Sequence, residues 1–434
     1  MRFVPKLLLL VSTVGAALAP AAMAATAAEP AKEPVTVITG GHLLDVTTGQ
    51  WLDHPAVFVE KGRVTSIADA RTVKWGKGVR HIDLGNRYLL PGLIDMHVHL
   101  TSLAEVGGYQ DLRYTDTFWT AVGVANAAKT LNIGFTTVRN VGSADFADVG
   151  LRQAIEGGWI PGPRIVAAGW SIGATGGHCD DNRLPPSMDR PSPSQVNGAD
   201  EARARVRWLH KYGARVIKIC ATGGVFSLGD SVGGQQLTFE EMKAIADEAH
   251  MLHLKVAAHA HGDEGMRTAI LAGIDTIEHC SLASDATLKL AAERKTWFSM
   301  DVYNDDYILA TGTANGTEQE SLDKERAIGL AQRQTFQRAV RAGVPMVFGS
   351  DAGVYPHGDN GKQFAKMTEW GMTPLQAIQA ATLNAARALG REEDVGTVAV
   401  GRYADIVAVD GDPLANIREL EAVDAVVKGG ERVR

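Results

Sequence analysis

The sequence predicts an α/β fold, a (β/α)8 TIM barrel joined to a small β-sandwich-like domain that both ends of the chain build. Three observations carry this expectation. Eight short apolar segments, at 93–100, 135–141, 164–169, 215–222, 255–261, 274–281, 296–302 and 344–351, alternate with stretches whose apolar residues recur at helical spacing. Chemically capable side chains cluster at the C-terminal ends of many of these segments, where a parallel barrel gathers its active site. That clustering disfavours the competing arrangement, a doubly wound open sheet. Finally, both ends of the chain read as short β-strands punctuated by glycine turns.

In chain order, residues 1–24 read as a signal peptide. Arg2 and Lys6 give a positive start, Leu7 to Ala19 form an apolar run, and Ala22-Met23-Ala24 is a small-x-small cleavage site. Cleavage is expected after Ala24, with Ala27 and Ala28 as alternatives. The run is too short for a permanent membrane span, and no cysteine sits near it to carry a lipid anchor. A periplasmic or secreted protein is therefore expected. Ala25 to Pro34 is a Pro/Ala/Glu-rich linker. Residues 35–87 supply the first part of the small domain, with strand-forming runs at Val35–Ile38, His54–Val59 and Arg63–Ile67. Gly40-Gly41 and Lys61-Gly62 mark turns between them. Residues 88–390 make the barrel. Residues 391–434 return to short strands, Ala404–Val409 and Ala422–Val427, around Gly411-Asp412-Pro413 and Gly429-Gly430 turns. Two helix starts are well marked: Thr238-Phe239-Glu240-Glu241 is a capping box, and Thr373-Pro374-Leu375-Gln376 adds proline at the first helical position.

The 434 residues carry a formal net charge of -7 and no Lys/Arg block, which argues against nucleic acid as a partner. No later segment has the length or apolarity of a membrane span. Only three cysteines occur, Cys179, Cys220 and Cys280. Strand parity points Cys220 inward and Cys280 outward, so those two are not expected to pair. All three are read as small buried hydrophobes.

The site chemistry begins at His97 and His99, one residue apart at the end of the apolar run in LLPGLIDMHVHL. Side chains alternate along a strand, so both imidazoles face one way and make half a metal site. Lys218, inside the apolar segment ARVIKICAT, is the next signal. A buried amine without a partner is costly and tends to lose its proton. Uncharged, it can act as a Schiff-base nucleophile or take up carbon dioxide as a carbamate that bridges two cations. His259 and His261 repeat the i, i+2 pattern, and spacing alone does not choose between them. His279 and Asp351 end two further strands.

With these residues in place, the chain resembles the metal-dependent amidohydrolase superfamily across nearly all of its length after the signal. The motifs are PGLIDMHVH, VIKICATGG, HAHGDEG, IEHCS, GSDAG, NAARALG and GRYADIVAVD. The similarity is strongest to its imidazolonepropionase-like and Xaa-Pro dipeptidase-like branch, near the ochratoxin A-hydrolysing members. It implies two divalent metal ions, usually zinc, held by His97, His99, N-carboxylated Lys218, His259, His279 and Asp351. His259 takes precedence over His261 because the family's metal histidine comes first in that motif. Lys218 points away from mononuclear members, which lack it.

The resemblance also implies the chemistry. The cations lower the pKa of a water and polarise the scissile carbonyl, while Asp351 passes the proton to the leaving amine. The bond is expected to be an amide or peptide bond to an amino acid with a free carboxylate: a dipeptide, an N-acyl amino acid, or ochratoxin A yielding phenylalanine. Lactonase, cyclic-amide and phosphotriester activities on the same metal site are the alternatives. A Schiff-base lyase using Lys218 and a catalytically dead scaffold fit the filled ligand set poorly. Specificity is expected in the Gly-rich 170–198 loop, read as a pocket wall, with His178, His261 and Tyr303 as substrate-binding candidates. The partners expected are a small or dipeptide-like substrate and further copies of the chain, since relatives form homo-oligomers, the ochratoxin-cleaving ones octamers.

Overall fold

The computed structural model describes residues 35–188 and 192–434; the segments read as signal peptide and linker lie outside the described residues. The fold is mixed α/β. Two antiparallel-rich sheets form the smaller part. One runs in the order Arg63–Asp69, Pro55–Glu60, Thr36–Thr39, Arg80–Asp83. Its hairpin turns on Lys61 and Gly62, both with positive φ (49° and 75°), the backbone twist that a two-residue hairpin favours. The other runs Glu431–Arg432, Ala425–Lys428, Ile406–Val409, Tyr88–Pro91, His42–Asp45, Gln50–Asp53. The two ends of the chain meet here, because Ile406–Val409 pairs antiparallel with Tyr88–Pro91. Tyr88–Pro91 thus belongs to this sheet, and the parallel strands begin at Leu93. Ile38, Val57 and Val64 of one sheet share an apolar cluster with Leu89, Ile406 and Val427 of the other.

Eight parallel strands make the larger part, in two arcs. The first, second and third (Leu93–Val98, Phe135–Asn140, Arg164–Ala167) form one arc. The fourth to eighth (Val216–Cys220, Lys255–Ala260, Thr276–His279, Trp297–Ser299, Met346–Val347) form the other. Hydrogen bonds cross both gaps. Ile172, just beyond the third strand, donates to Lys218 O and accepts from Cys220 N, both at 2.8 Å. At the other gap Met96 N meets Phe348 O at 2.9 Å and Asp351 N meets His97 O at 2.7 Å. The strands are largely buried because both faces are covered, and the polar residues they carry gather toward the site described below.

Helices alternate with the strands. Both capping boxes form as the sequence predicts, starting the helices Phe239–Met251 and Pro374–Ala380. The longest helix, Gln319–Ala342, follows the seventh strand and reaches the site described below. Among the described residues no helix is long and apolar enough to cross a membrane.

Ile406 is fully buried where the two termini join. Ile406→Ala is expected to cost about 2–5 kcal/mol in urea denaturation, with the loss concentrated in the midpoint rather than the slope.

Candidate metal centre and active site

The interior row of the second arc sets the floor of the site. In register across the fourth to seventh strands lie Cys220, His259, Glu278 and Ser299. Lys218 sits two residues before Cys220 on the same face. Above this row the strands end, and the chain is bent sharply at the residues with ligand chemistry. His279 (φ 70°), Cys280 (φ 54°) and Asp351 (φ 58°) all occupy the left-handed region that non-glycine residues rarely enter. The bend at His279 breaks the strand alternation, so its ring joins Glu278 in the interior instead of facing away.

Three overlapping groups result, each with potential ligand atoms within 4.8 Å of one another: His97, His99 and Asp351; His279, Asp301 and Asp351; His259, His261 and His279. Asp351 Oδ1 lies 3.3 Å from Nε2 of both His97 and His99. Ring centroids are 5.0 Å apart for His97 and His279 and 4.5 Å for His259 and His279. Lys218 is 4% exposed and lines the same cavity. Shared members make this one connected chain of candidate ligand groups.

Three of the rings are held from behind. His97 Nδ1 meets Glu278 Oε2 at 2.9 Å, His279 Nδ1 meets Asp301 Oδ1 at 2.9 Å, and His261 Nδ1 meets Ser281 Oγ at 2.8 Å. Such partners fix the tautomer and turn Nε2 toward the centre. His259 Nε2 is buried with no partner among the described residues, a lone pair that a cation would satisfy. The donor set of imidazoles, carboxylates and one amine is that of a divalent transition-metal site.

Electrostatics favours the ligand forms of most of these groups; at His97, burial and Lys218 act to lower the imidazole but Asp351 and Glu278 outweigh them and raise it. Burial and the neighbouring rings push His259 and His261 well below the usual imidazole range, and burial lowers His99. Burial also lowers Lys218 to about 8. Burial works against ionised Asp351, but His97 and His99 outweigh it and hold the carboxyl well below its ordinary value. For Glu278 burial is outweighed by Arg139 and His97, so it too stays ionised.

A cavity of about 730 Å³ opens over this floor. The 170–198 loop lines it through His178, Asp181 and Arg183, among others, and so forms a wall. His178 stacks on His259 at 4.0 Å between ring centroids, with its Nδ1 2.9 Å from Ser227 Oγ. Glycine is needed at 224, because a Cβ there would lie 2.3 Å from His178 Cε1. His261 also lines the cavity. Tyr303 does not, which corrects its expected place in the pocket: it stands edge-on to Tyr355 at 5.0 Å, and Tyr307 and Asn304 line the cavity instead. The helix that begins at Asn304 turns those two side chains inward.

The cysteine expectation is corrected as well. Cys179 and Cys220 form a disulfide, and only Cys280 is the small buried hydrophobe expected of all three. The pairing arises because the loop folds back along the fourth strand through the Ile172 hydrogen bonds, laying Cys179 over the inward-facing Cys220. Gly173 permits the crossing, since a Cβ there would come within 2.7 Å of Cys179 Cβ.

Several site residues escaped the sequence reading. Arg139, 1% exposed, donates to Met96 O, to Thr276 Oγ1 at 2.7 Å and to Glu278 Oε1 at 2.7 Å. Asp301 is gripped by Gln332 Nε2 at 3.0 Å and by Asn304, whose Nδ2 also donates to Asp351 Oδ2 at 3.1 Å. Arg139 and Glu278 had a visible signal, charges inside apolar strands, as at Lys218. Asp301 falls just past the seventh strand, which ends earlier than the segment 296–302 read from the sequence, while Asn304 and Gln332 stand on helices where an amide side chain by itself marks no site.

A family model, the amidohydrolase family, matches residues 88–433. The chain belongs to the amidohydrolase family. Among characterised relatives, the ochratoxinase of Aspergillus niger is 32% identical over 368 residues, covering 79% of this chain and 75% of that protein. The crystal structure of a Xaa-Pro dipeptidase with methionine bound in its active site aligns with TM-score 0.87 and 35% identity, covering 92% of this chain and 100% of that one. The A. niger ochratoxinase structure aligns with TM-score 0.83 and 28% identity over 92% and 96% of the two chains. These amidohydrolase relatives share a TIM-barrel-like fold with an additional domain, and the family is typically metal-dependent. The chain is accordingly a hydrolase of amide bonds.

Two outcomes follow for this amidohydrolase. Asp301→Asn removes the charge behind His279 and is expected to weaken divalent-metal binding about 10- to 100-fold in competition with a chromophoric chelator. Cys179→Ser with Cys220→Ser opens a bridge spanning 41 residues and is expected to cost about 2–4 kcal/mol in chemical denaturation.

Proposed function

We propose that the protein is an exported, binuclear metal-dependent amidohydrolase that cleaves the amide bond to an amino acid bearing a free carboxylate. Its two arcs are read as one closed (β/α)8 barrel, supported by the hydrogen bonds across both gaps. The observation that carries the proposal is the convergence of His97, His99, His259, His279 and Asp351 on one cavity floor beside a buried lysine that forms no ion pair within 4 Å among the described residues. These residues with Lys218 would hold two divalent cations, zinc by the resemblance, and an N-carboxylated Lys218 would resolve the burial of an otherwise unpaired amine. When bound, the cations lower the pKa of a water and polarise a carbonyl. His261 stands beside His259 and serves a substrate oxygen or the metal-facing rings.

The remaining work falls to the protein's own groups. Asp351, held ionised by His97 and His99, is placed to accept a proton at its Oδ1. Asn304 fixes its other oxygen, so the carboxylate cannot rotate away while it carries that proton to the leaving amine. Glu278 and Asp301 keep His97 and His279 oriented, which spares the site reorganisation during the reaction. His178 and the loop behind it cover the floor and limit the entry of water.

Ochratoxin A, Xaa-Pro dipeptides and N-acyl amino acids are the substrates to test, because the relatives named for ochratoxin and Xaa-Pro cleavage align over most of the chain. Export is supported by the leader pattern and by the disulfide, a bond that persists in oxidising compartments.

Assay of the zinc-loaded protein on these three classes should find amide cleavage in at least one. Lactone turnover without amide cleavage would overturn the assignment. Asp351→Asn is expected to lower kcat about 100- to 10,000-fold with a smaller change in KM.

A further inference from the structure

One helix lines the cavity from its mouth to the floor. Glu318, at its N-cap, and Ser321, Glu325, Ile328 and Gln332 recur at steps of three and four, and all face the cavity. Gln332 stands at the bottom, bound to Asp301 and to the backbone of His279. Glu325 lies seven residues earlier, two turns or about 10 Å along the axis.

Glu325 is 4% exposed, and its carboxyl has no hydrogen-bond or ion-pair partner among the described residues. A buried carboxylate normally has one. The cations nearby are engaged elsewhere. Arg333 pairs with Asp305 and Asp306, each at 3.0 Å, and Lys324 pairs with Asp230 and Glu320, each at 2.9 Å. Arg183, on the opposite wall, is shared between Asp111 and Asp181. Burial, reinforced by Asp305 and Asp301, pushes the Glu325 carboxyl up to about 8. Arg333 offsets this charge in part while paired with Asp305 and Asp306, and no described residue forms an ion pair with Glu325, so the helix face turns a buried acid toward the cavity.

We propose that Glu325 is a specificity-determining residue that receives a cationic side chain of the substrate, an ammonium or guanidinium on a long aliphatic stem. The span of two helical turns suits such a stem and exceeds the reach of an α-ammonium beside the scissile bond. Ile328, one turn nearer the floor, and Ile308 supply an apolar wall for the methylenes while the head meets the carboxylate. The inference rests on the amide-hydrolase reading for calling the cavity a substrate pocket, so its test does not depend on turnover.

The test is calorimetric binding of L-arginine and of L-citrulline, its neutral near-isostere, to the zinc-loaded wild type and to Glu325→Gln. Arginine is expected to bind the wild type about 10- to 100-fold more tightly than citrulline, and the ratio is expected to collapse toward one in the variant. Glu325→Asp, which keeps the charge, should retain part of the preference, so misfolding of the glutamine variant would not obscure the result. Equal affinities in the wild type, no binding of either ligand, or a preference that survives Glu325→Gln would overturn the proposal. An arginine preference in a protein that cleaves no amide would preserve the Glu325 site and sink the hydrolase reading alone.

Discussion

The whole site hangs on a charged chain buried among the strands: Arg139, Glu278 and His97. A guanidinium and a carboxylate both withdrawn from water are tolerated only when their hydrogen bonds are made, and here they are. Arg139 reaches a backbone carbonyl, a threonine hydroxyl and one oxygen of Glu278, and the other oxygen of Glu278 holds His97. Removing one partner from such an arrangement costs about 3–5 kcal/mol, because the other is left charged and alone. Three different strands are pinned by this chain, the first, second and sixth. It therefore sets the position of His97 against His279 before any cation is present. Preorganisation of that kind is what lets a metal centre bind without first ordering its ligands.

Strain at the strand tips is the counterpart of this rigidity. His279 and Asp351 adopt backbone angles that cost of order 1–3 kcal/mol each and survive only because their surroundings leave no alternative. At His279 the surroundings are Asp301 on the ring and Gln332 on the backbone carbonyl; at Asp351 they are two imidazoles and Asn304. The same strain delivers both side chains to positions that a regular strand would deny them. Relaxing either bend would return the ring or the carboxylate to the wrong face.

The parts legible in the sequence were those governed by period and by burial. Two histidines at i, i+2 had to share a face, and a lysine in an apolar strand had to be buried at the site; both capping boxes formed where their residues stood. The Cys179–Cys220 bond was hidden because parity arguments extend only along a strand, while Cys179 arrives on a loop whose path is set by the Ile172 hydrogen bonds. Tyr303 failed for a related reason. Its position after the seventh strand was read correctly, but the turn into a helix rotated it toward Tyr355 and handed the cavity to Asn304 and Tyr307. Asp301 was passed over although it stood at the C-terminal end of the segment 296–302, and Gln332 was beyond reach, since a glutamine on a helix carries no pattern of its own.

Floor and walls obey different constraints, and this explains how one fold accommodates many scissile bonds. The floor is built from strand ends locked by buried charges, so substitutions there disturb both folding and metal binding. The walls come from the 170–198 loop, tied down at Cys179, and from a single face of the helix Gln319–Ala342. On that face Gln332 belongs to the floor, because Asp301 depends on it, whereas Glu325 two turns away makes no hydrogen bond to the metal centre and feels it only through the charges of Asp301 and Asp351. A residue free of structural obligations can change with the substrate at little cost to the fold. Burying an unpartnered carboxyl at such a position lowers stability and gives nothing back within the empty protein. On the reading proposed above, what offsets that cost is the cation that enters the cavity.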